Sequence, residues 1–227
     1  MKPFIKETCR SEKFDCKKKE ESYTQVFEES YTQVFEDPSI VLIKNFLSDE
    51  ECNKLIEISK NNLKPSMICI GKDKVAVHPT RTSKTSVIDI GKYEFADQIG
   101  RRACDVLKVD YSYLETIQVV CYEIGQLFKP HYDYFPKERI EFEKSQRTDT
   151  FFIYLNEDFT DGETEFKKLD FKIRGNKGDA LWWRNAPGGL GNEDDRLLHA
   201  GLPPSYGQKW GCNILIRDQA YIPKKKH

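Results

Sequence analysis

The sequence predicts an α+β fold, with helices in the first half leading into an antiparallel β-sandwich or jelly roll. Three observations carry this reading. Apolar residues recur at helical spacing as far as residue 107, whereas from Glu115 onward they fall into short strand-sized runs. Gly, Pro, Asn and Asp separate those runs. The 227 residues include 14 Phe, 11 Tyr and 3 Trp, enough aromatic volume for a sizeable core.

Residues 1–20 are rich in Lys and Glu with few apolar positions, and read as a mobile arm. The octapeptide Glu-Ser-Tyr-Thr-Gln-Val-Phe-Glu then occurs twice in tandem, at 21–28 and 29–36. Two short copies do not make a solenoid. Each is strand-prone, and the second runs through Asp37-Pro38 into the apolar Ile40-Val41-Leu42-Ile43. The second copy is expected to join the domain, and the first to be a duplication with no function of its own. The division drawn is an arm over 1–36, partly mobile, and a domain over 37–227.

Ser48, followed three residues on by Glu51, forms a capping box. The helix it opens carries Cys52, Leu55, Ile56 and Ser59 on one face, and Asn61-Asn62 ends it. A second helix is predicted over 93–107 from Ala96, Ile99, Ala103 and Val106. Strands are then expected at 115–122, 126–134, 150–155, 163–166, 171–173, 179–184, 197–200 and 209–217. Segments 67–86 and 136–149 read as long, polar, irregular and mobile loops.

Lys and Arg number 36 against 37 Asp and Glu, so a global polyelectrolyte role on nucleic acid or an anionic membrane has no support. No apolar run approaches the ~18 residues of a membrane span, and the start lacks the apolar stretch of a signal peptide. Seven Cys without Cys-x-x-Cys spacing read as scattered thiols. The expectation is a cytoplasmic, reducing setting, a monomer or homodimer, and a solvated Lys224–His227 tail.

Only four His occur, so their placement is informative. In a strand, residues i and i+2 share a face, which puts His131 beside Asp133. With His199 they supply two imidazoles and one carboxylate, the facial triad of non-haem Fe(II) oxygenases, which leaves positions open for a chelating co-substrate and O₂. A buried His bonded to a neighbouring Asp would also explain His-x-Asp. Lys209 follows on the next predicted strand. Facing inward it would need an anion, for which the distal carboxylate of 2-oxoglutarate would serve; facing outward it would be a surface Lys.

The wider pattern decides between these. From about Asp37 to Arg217 the chain resembles the prolyl 4-hydroxylase branch of the Fe(II)/2-oxoglutarate dioxygenases. The matching stretches are Arg81-Thr82-Ser83, Gln118 to Tyr122 with Gly125-Gln126, Lys129 to Phe135, Gln146-Arg147 before Tyr154-Leu155-Asn156, Gly162-Glu163-Thr164 with Phe166, Lys177 to Leu181, and His199-Ala200-Gly201 with Lys209-Trp210. The resemblance implies a double-stranded β-helix (jelly roll, cupin-like) with N-terminal helices packed on the major sheet. It makes His131, Asp133 and His199 the iron ligands and Lys209 the 2-oxoglutarate anchor, joined by the hydroxyls of Tyr122 and Thr164. Arg81, Ser83, Glu115 and Arg147 match positions that line a peptide groove or position its loops, and Trp182, Trp183 and Trp210 read as core or groove wall.

The implied cofactors are Fe(II), 2-oxoglutarate as co-substrate and O₂, with ascorbate as an accessory reductant. The implied reaction hydroxylates peptidyl proline at C4, releasing succinate and CO₂, on a proline-containing peptide or protein. Three departures stand out. Phe128 replaces a common Tyr, and Leu215 replaces a common Trp, both at proline-cleft positions, while Asp161 replaces the first Gly of Gly-Gly-Glu-Thr. They leave open the same chemistry on another side chain, a free amino acid or a small metabolite. From another class, a non-catalytic jelly-roll binding module is the remaining alternative.

Overall fold

A computed structural model describes residues 6–9 and 30–222. The first octapeptide and the Lys224–His227 tail lie outside them, as does most of the 1–20 arm. One large antiparallel sheet carries the fold. Its strands run in the order Lys6–Cys9, Ser30–Phe35, Ile40–Ile43, Ala180–Arg184, Arg147–Tyr154, Lys209–Arg217, Ile117–Tyr122, Lys84–Ile88 and Lys64–Pro65. A smaller sheet faces it, ordered Phe171–Ile173, Thr164–Phe166, His199–Gly201 and Phe128–His131. Consecutive strands cross between the two sheets, which is the jelly-roll arrangement.

Side-chain alternation divides the core in two. Val41, Ile43, Val119, Cys121, Ile153, Cys212 and Ile214 point to one face of the large sheet and meet Cys52, Leu55, Ala96, Ile99 and Ala103 of helices α1 (Asp49–Lys60) and α2 (Glu94–Leu107). Ile40, Leu42, Val120, Tyr122, Phe152, Tyr154, Leu181 and Trp183 point the other way, toward Phe166 and Leu197. Ser48 accepts from the Glu51 amide while Glu51 returns to the Ser48 amide, so the predicted capping box starts α1. α2 ends at Lys108 in a left-handed conformation.

Inner-face packing dictates one glycine. A Cβ at Gly211 would lie 2.2 Å from the Phe152 ring, so the strand that carries Lys209 must be bare where that ring crosses it. Asp161 sits at φ 60°, in a turn that glycine would fill at less cost.

The two segments read as irregular loops are instead structured. Met67–Cys69 and Val75–Val77 form a hairpin, Lys84–Ile88 joins the large sheet, and Lys137–Glu143 is a third helix, α3. The hairpin leaves Met67, Val75 and Val77 exposed, so its strands lack an apolar/polar alternation to read. In α3 the buried residue is Arg139, a polar residue in a core position, which hides the helical period. Among the described residues no helix is long and apolar enough to cross a membrane.

Candidate active site

The two sheets meet at a cluster built by three chain segments. His131 closes the strand Phe128–His131, and His199 opens the strand paired beside it, opposite His131 in register. Asp133 follows two residues after His131. Its carboxylate lies 3.5 Å from His131 Nε2 and 3.4 Å from His199 Nε2. The three ligand atoms lie within 4.8 Å of one another.

Their orientation is fixed from behind. His131 Nδ1 is 2.9 Å from the Lys129 carbonyl, and His199 Nδ1 is 2.9 Å from that of Leu197. A carbonyl can only accept, so each Nδ1 carries a proton and each ring turns its Nε2 toward Asp133, where it donates when the ring is protonated and offers a lone pair to a metal when it is neutral. Thr150 Oγ donates to Asp133 Oδ2 at 2.7 Å and receives Asn185 Nδ2 at 2.8 Å. Burial and the nearby His199 push His131 down to about 4. Burial opposes ionisation of Asp133, but His199 and His131 outweigh it and hold the carboxyl well below its ordinary value. Burial lowers His199 as well, and Asp133 reverses this into a net rise. Two imidazoles and one carboxylate, braced on their outer atoms and converging on their inner ones, fit a divalent iron with positions left free.

Deeper in the barrel lies Lys209, 1% exposed. Its strand pairs it with Tyr122, and the ammonium sits 5.4 Å from the Tyr122 ring centre, 5.1 Å from Phe152 and 5.8 Å from Tyr154. Among the described residues no carboxylate forms an ion pair with it. Burial drives its pKa down to about 7. Thr164 is buried with its hydroxyl 3.3 Å from that of Tyr154, which also donates to the Ile173 carbonyl. An enclosed, unpaired cation ringed by aromatic faces and hydroxyls is a receptor for a carboxylate.

Arg81, Phe128 and His131 form a stack. The Arg81 guanidinium lies 4.7 Å from the Phe128 ring centre, and that ring lies 3.4 Å from the His131 ring. Arg81 also donates to Ser83 Oγ and to the Met67 carbonyl, tying the hairpin to the metal cluster. Ser83 is buried against Ser66.

Glu115 and Arg147 lie beside the cluster. Arg147 donates through Nε and Nη2 to both oxygens of Glu115 at 2.7 and 2.8 Å, and through Nη1 to the Asp133 carbonyl at 3.3 Å. Arg217 donates to the same Glu115 carboxylate. Burial disfavours the charged Glu115, but Arg147 and Arg217 overcome it and keep the carboxyl lowered. All three donor-bearing nitrogens of Arg147 thus hold protein groups. Leu215 is buried on the inner face, paired with Thr150.

Sequence reasoning missed Thr150, Asn185 and Tyr154. Strand alternation puts residues 150, 152 and 154 on one face, and that was the available signal.

A model of the 2OG-Fe(II) oxygenase superfamily matches residues 117–217, which include every residue of the cluster and Lys209. Probable prolyl 4-hydroxylase 9 of Arabidopsis thaliana is 30% identical over 202 residues, 80% of this chain and 69% of that protein. The chain belongs to the prolyl 4-hydroxylase branch of the 2OG-Fe(II) oxygenases. The rat prolyl 4-hydroxylase subunit alpha-3 is 32% identical over 80% of this chain, which spans only 34% of that subunit. Among solved structures, the viral collagen prolyl hydroxylase of Paramecium Bursaria Chlorella virus-1 in its 2OG complex superposes with a TM-score of 0.61 at 30% identity, over 78% of this chain and 95% of that one. As a member of this branch the protein is an oxygenase that uses Fe(II), 2-oxoglutarate and O₂. A bound iron supplies the oxidising chemistry by which O₂ and 2-oxoglutarate are converted as a C–H bond is hydroxylated.

Proposed function

We propose that this oxygenase hydroxylates a prolyl residue at C4 in an extended, polyproline II-like peptide. In this reading His131, Asp133 and His199 hold the iron, and Lys209, with the Tyr122 and Thr164 hydroxyls, receives the distal carboxylate of 2-oxoglutarate. The observation that carries the co-substrate assignment is Lys209 itself, buried with no carboxylate ion-paired to it among the described residues. A charge left so in a barrel is costly, and a ligand carboxylate removes the cost.

The peptide reading rests on the cover over the cluster. The hairpin Met67–Val77 is tied at its root to Arg81 and at its tip to α3, where Arg139 donates to the Lys72 carbonyl at 3.0 Å and Lys72 pairs with Glu141. α3 follows Asp133 closely in sequence, so hairpin and helix form an arch anchored on both sides of the triad. Such a cover admits a narrow extended chain and shields the reacting carbon from water. Exposed Met67, Val75 and Val77, with Phe128, give it apolar surface suited to an uncharged ring. Arg81 and Ser83 sit at the hairpin root as groove residues, whereas Glu115 and Arg147 act by bracing the Asp133 segment. Cys52, Cys69, Cys104, Cys121 and Cys212 are free thiols, which supports a reducing, cytoplasmic setting.

The test is succinate release against a panel of proline-containing peptides, with mass spectrometry of the products. A mass gain of one oxygen on proline is expected. Stimulation only by a free amino acid or a small metabolite would move the substrate assignment to that class.

A further inference from the structure

The second copy of the tandem octapeptide is not among the residues of the metal cluster, yet it fills a specific slot. Ser30–Phe35 lies antiparallel to Ile40–Ile43, with Tyr31 opposite Ile43, Thr32 opposite Leu42 and Gln33 opposite Val41. Val34 is buried in the inner core, at 7% exposure, and the Phe35 ring stands edge-on to Phe171 at 4.9 Å. Tyr31 packs on the helix side of the sheet. On its outer edge the strand pairs through Ser30 to Gln33 with Lys6–Cys9.

We propose that this slot is a binding site for either copy of the octapeptide, so that residues 22–27 of the same chain can replace Ser30–Phe35 beside Ile40–Ile43. Every side chain that contacts the sheet is reproduced: Tyr23 for Tyr31, Thr24 for Thr32, Gln25 for Gln33, Val26 for Val34 and Phe27 for Phe35. The shift equals the length of the repeat, so each position receives the same residue and no side chain changes face, including across the bulge between Gln33 and Phe35. Strand-to-sheet contacts are therefore the same in both registers, and only the connections differ.

Those connections set the balance. In the observed register residues 36–39 join the strand to Ile40; in the alternative, residues 28–39 do so. Threefold lengthening of a flexible connection disfavours closure by about fivefold. The segment back to Cys9 shortens from 10–29 to 10–21, which returns about twofold. The two registers thus stand within about an order of magnitude of each other. The arm moves by eight residues relative to the sheet without loss of the edge strand.

An aspartate at the buried valine position tests this, with urea unfolding of the full chain as readout. Val34→Asp alone should lower the folding equilibrium constant by no more than about sixfold, because the first copy takes the slot. Val26→Asp alone should have less effect still. Val26→Asp combined with Val34→Asp, or Val34→Asp in a chain lacking residues 21–28, should lower it by on the order of a hundredfold or more, since an unpaired carboxylate is then buried. The milder Val→Ala series should keep the same order if an aspartate variant fails to fold. Val34→Asp as damaging as the double variant would overturn the proposal. Stability that depends on protein concentration, with a dimer present, would overturn it too, by showing that the replacement comes from a neighbouring chain.

Discussion

Lys209 offers the sharpest test of the co-substrate pocket, because its environment changes on binding. Burial lowers its pKa to about 7 in the free protein, from an ordinary 10.5. A carboxylate placed against the ammonium favours the charged form, so the ligand binds the protonated Lys209 and raises its pKa. Above pH 7 the free protein loses that proton, and 2-oxoglutarate affinity should fall by up to about tenfold per pH unit until the bound-state pKa is reached. At pH 8 binding should take up close to one proton. Isothermal titration of the Mn(II)-loaded protein, anaerobically and in buffers of different ionisation enthalpy, measures both quantities. Lys209→Arg, charged throughout this range, should lose the dependence on pH even if its affinity is lower. The same shift carries a stability signature of definite sign. Between pH 7 and 10 the unfolded chain holds more protons at this position than the folded one, so stability without ligand should rise with pH, by up to about 1.4 kcal/mol per unit. Below pH 7 the whole penalty of burying the charge is present, and Lys209→Met should therefore stabilise the ligand-free protein there while removing 2-oxoglutarate binding. An affinity that stays flat from pH 7 to 9, with no proton uptake, would refute the reasoning.

Thr150→Val removes the hydroxyl that donates to Asp133 Oδ2, and should weaken Co(II) binding by about 10- to 100-fold in a spectroscopic titration, with Thr150→Ser retaining most of it. Glu115→Ala leaves Arg147 with no carboxylate and Arg217 with Glu143 alone, and should cost about 3 kcal/mol in urea unfolding. Gly211→Ala drives a methyl into the Phe152 ring and should cost about 1–3 kcal/mol, with a weaker 2-oxoglutarate site because that ring lies under Lys209. Lys72→Glu turns the exposed Lys72–Glu141 pair into a repulsion that loosens the hairpin tip, and should raise the KM for peptide while leaving peptide-independent 2-oxoglutarate turnover near its starting rate.

What could be read from the sequence follows from how each feature is encoded. The α1 capping box, the α2 stripe and the strands from Ile117 to Arg217 depend on local periodicity and caps, which a single chain displays directly. The metal cluster was legible because the His-x-Asp spacing places His131 and Asp133 together, although the strand stops at His131 and Asp133 reaches the site from the bend beyond it, and because a scarcity of histidines left His199 as the natural third member. Its bracing was not. Thr150 and Asn185 matter through a relay that only the register between Arg147–Tyr154 and Ala180–Arg184 brings together. Arg147 shows the same limit. An arginine on a polar stretch beside the triad looks free to meet a peptide, until folding delivers Glu115 from just ahead of the strand Ile117–Tyr122 and occupies its fork.

The covering arch was illegible for a different reason: its stability lies in polar contacts between two segments that each look unstructured alone. Arg139 occupies a core position by reaching the Lys72 carbonyl, so the residue that breaks the helical pattern of α3 is the one that ties α3 to the hairpin. α3 itself stays pinned to the large sheet by Glu143 on Arg217. The hairpin meets α3 through hydrogen bonds at its tip rather than through a shared apolar core, and can part from it and re-form at small energetic cost. The sheets beneath it cannot, because their strands are pinned by core on both faces. Rigid ligands under a separable cover are what an enzyme needs when it must admit a chain and then exclude water while a C–H bond is attacked. It follows that substitutions on the hairpin side of the clasp, such as Lys72→Glu, should act on peptide capture and release, and those in the braced cluster on metal and 2-oxoglutarate, with little crossover between the two sets. Arg139, by contrast, is joined to the cluster through Glu143 and Arg217. Equal loss of Co(II) affinity in Lys72→Glu and Thr150→Val would show that the cover and the cluster are a single cooperative unit, and would remove the basis for treating the arch as a gate.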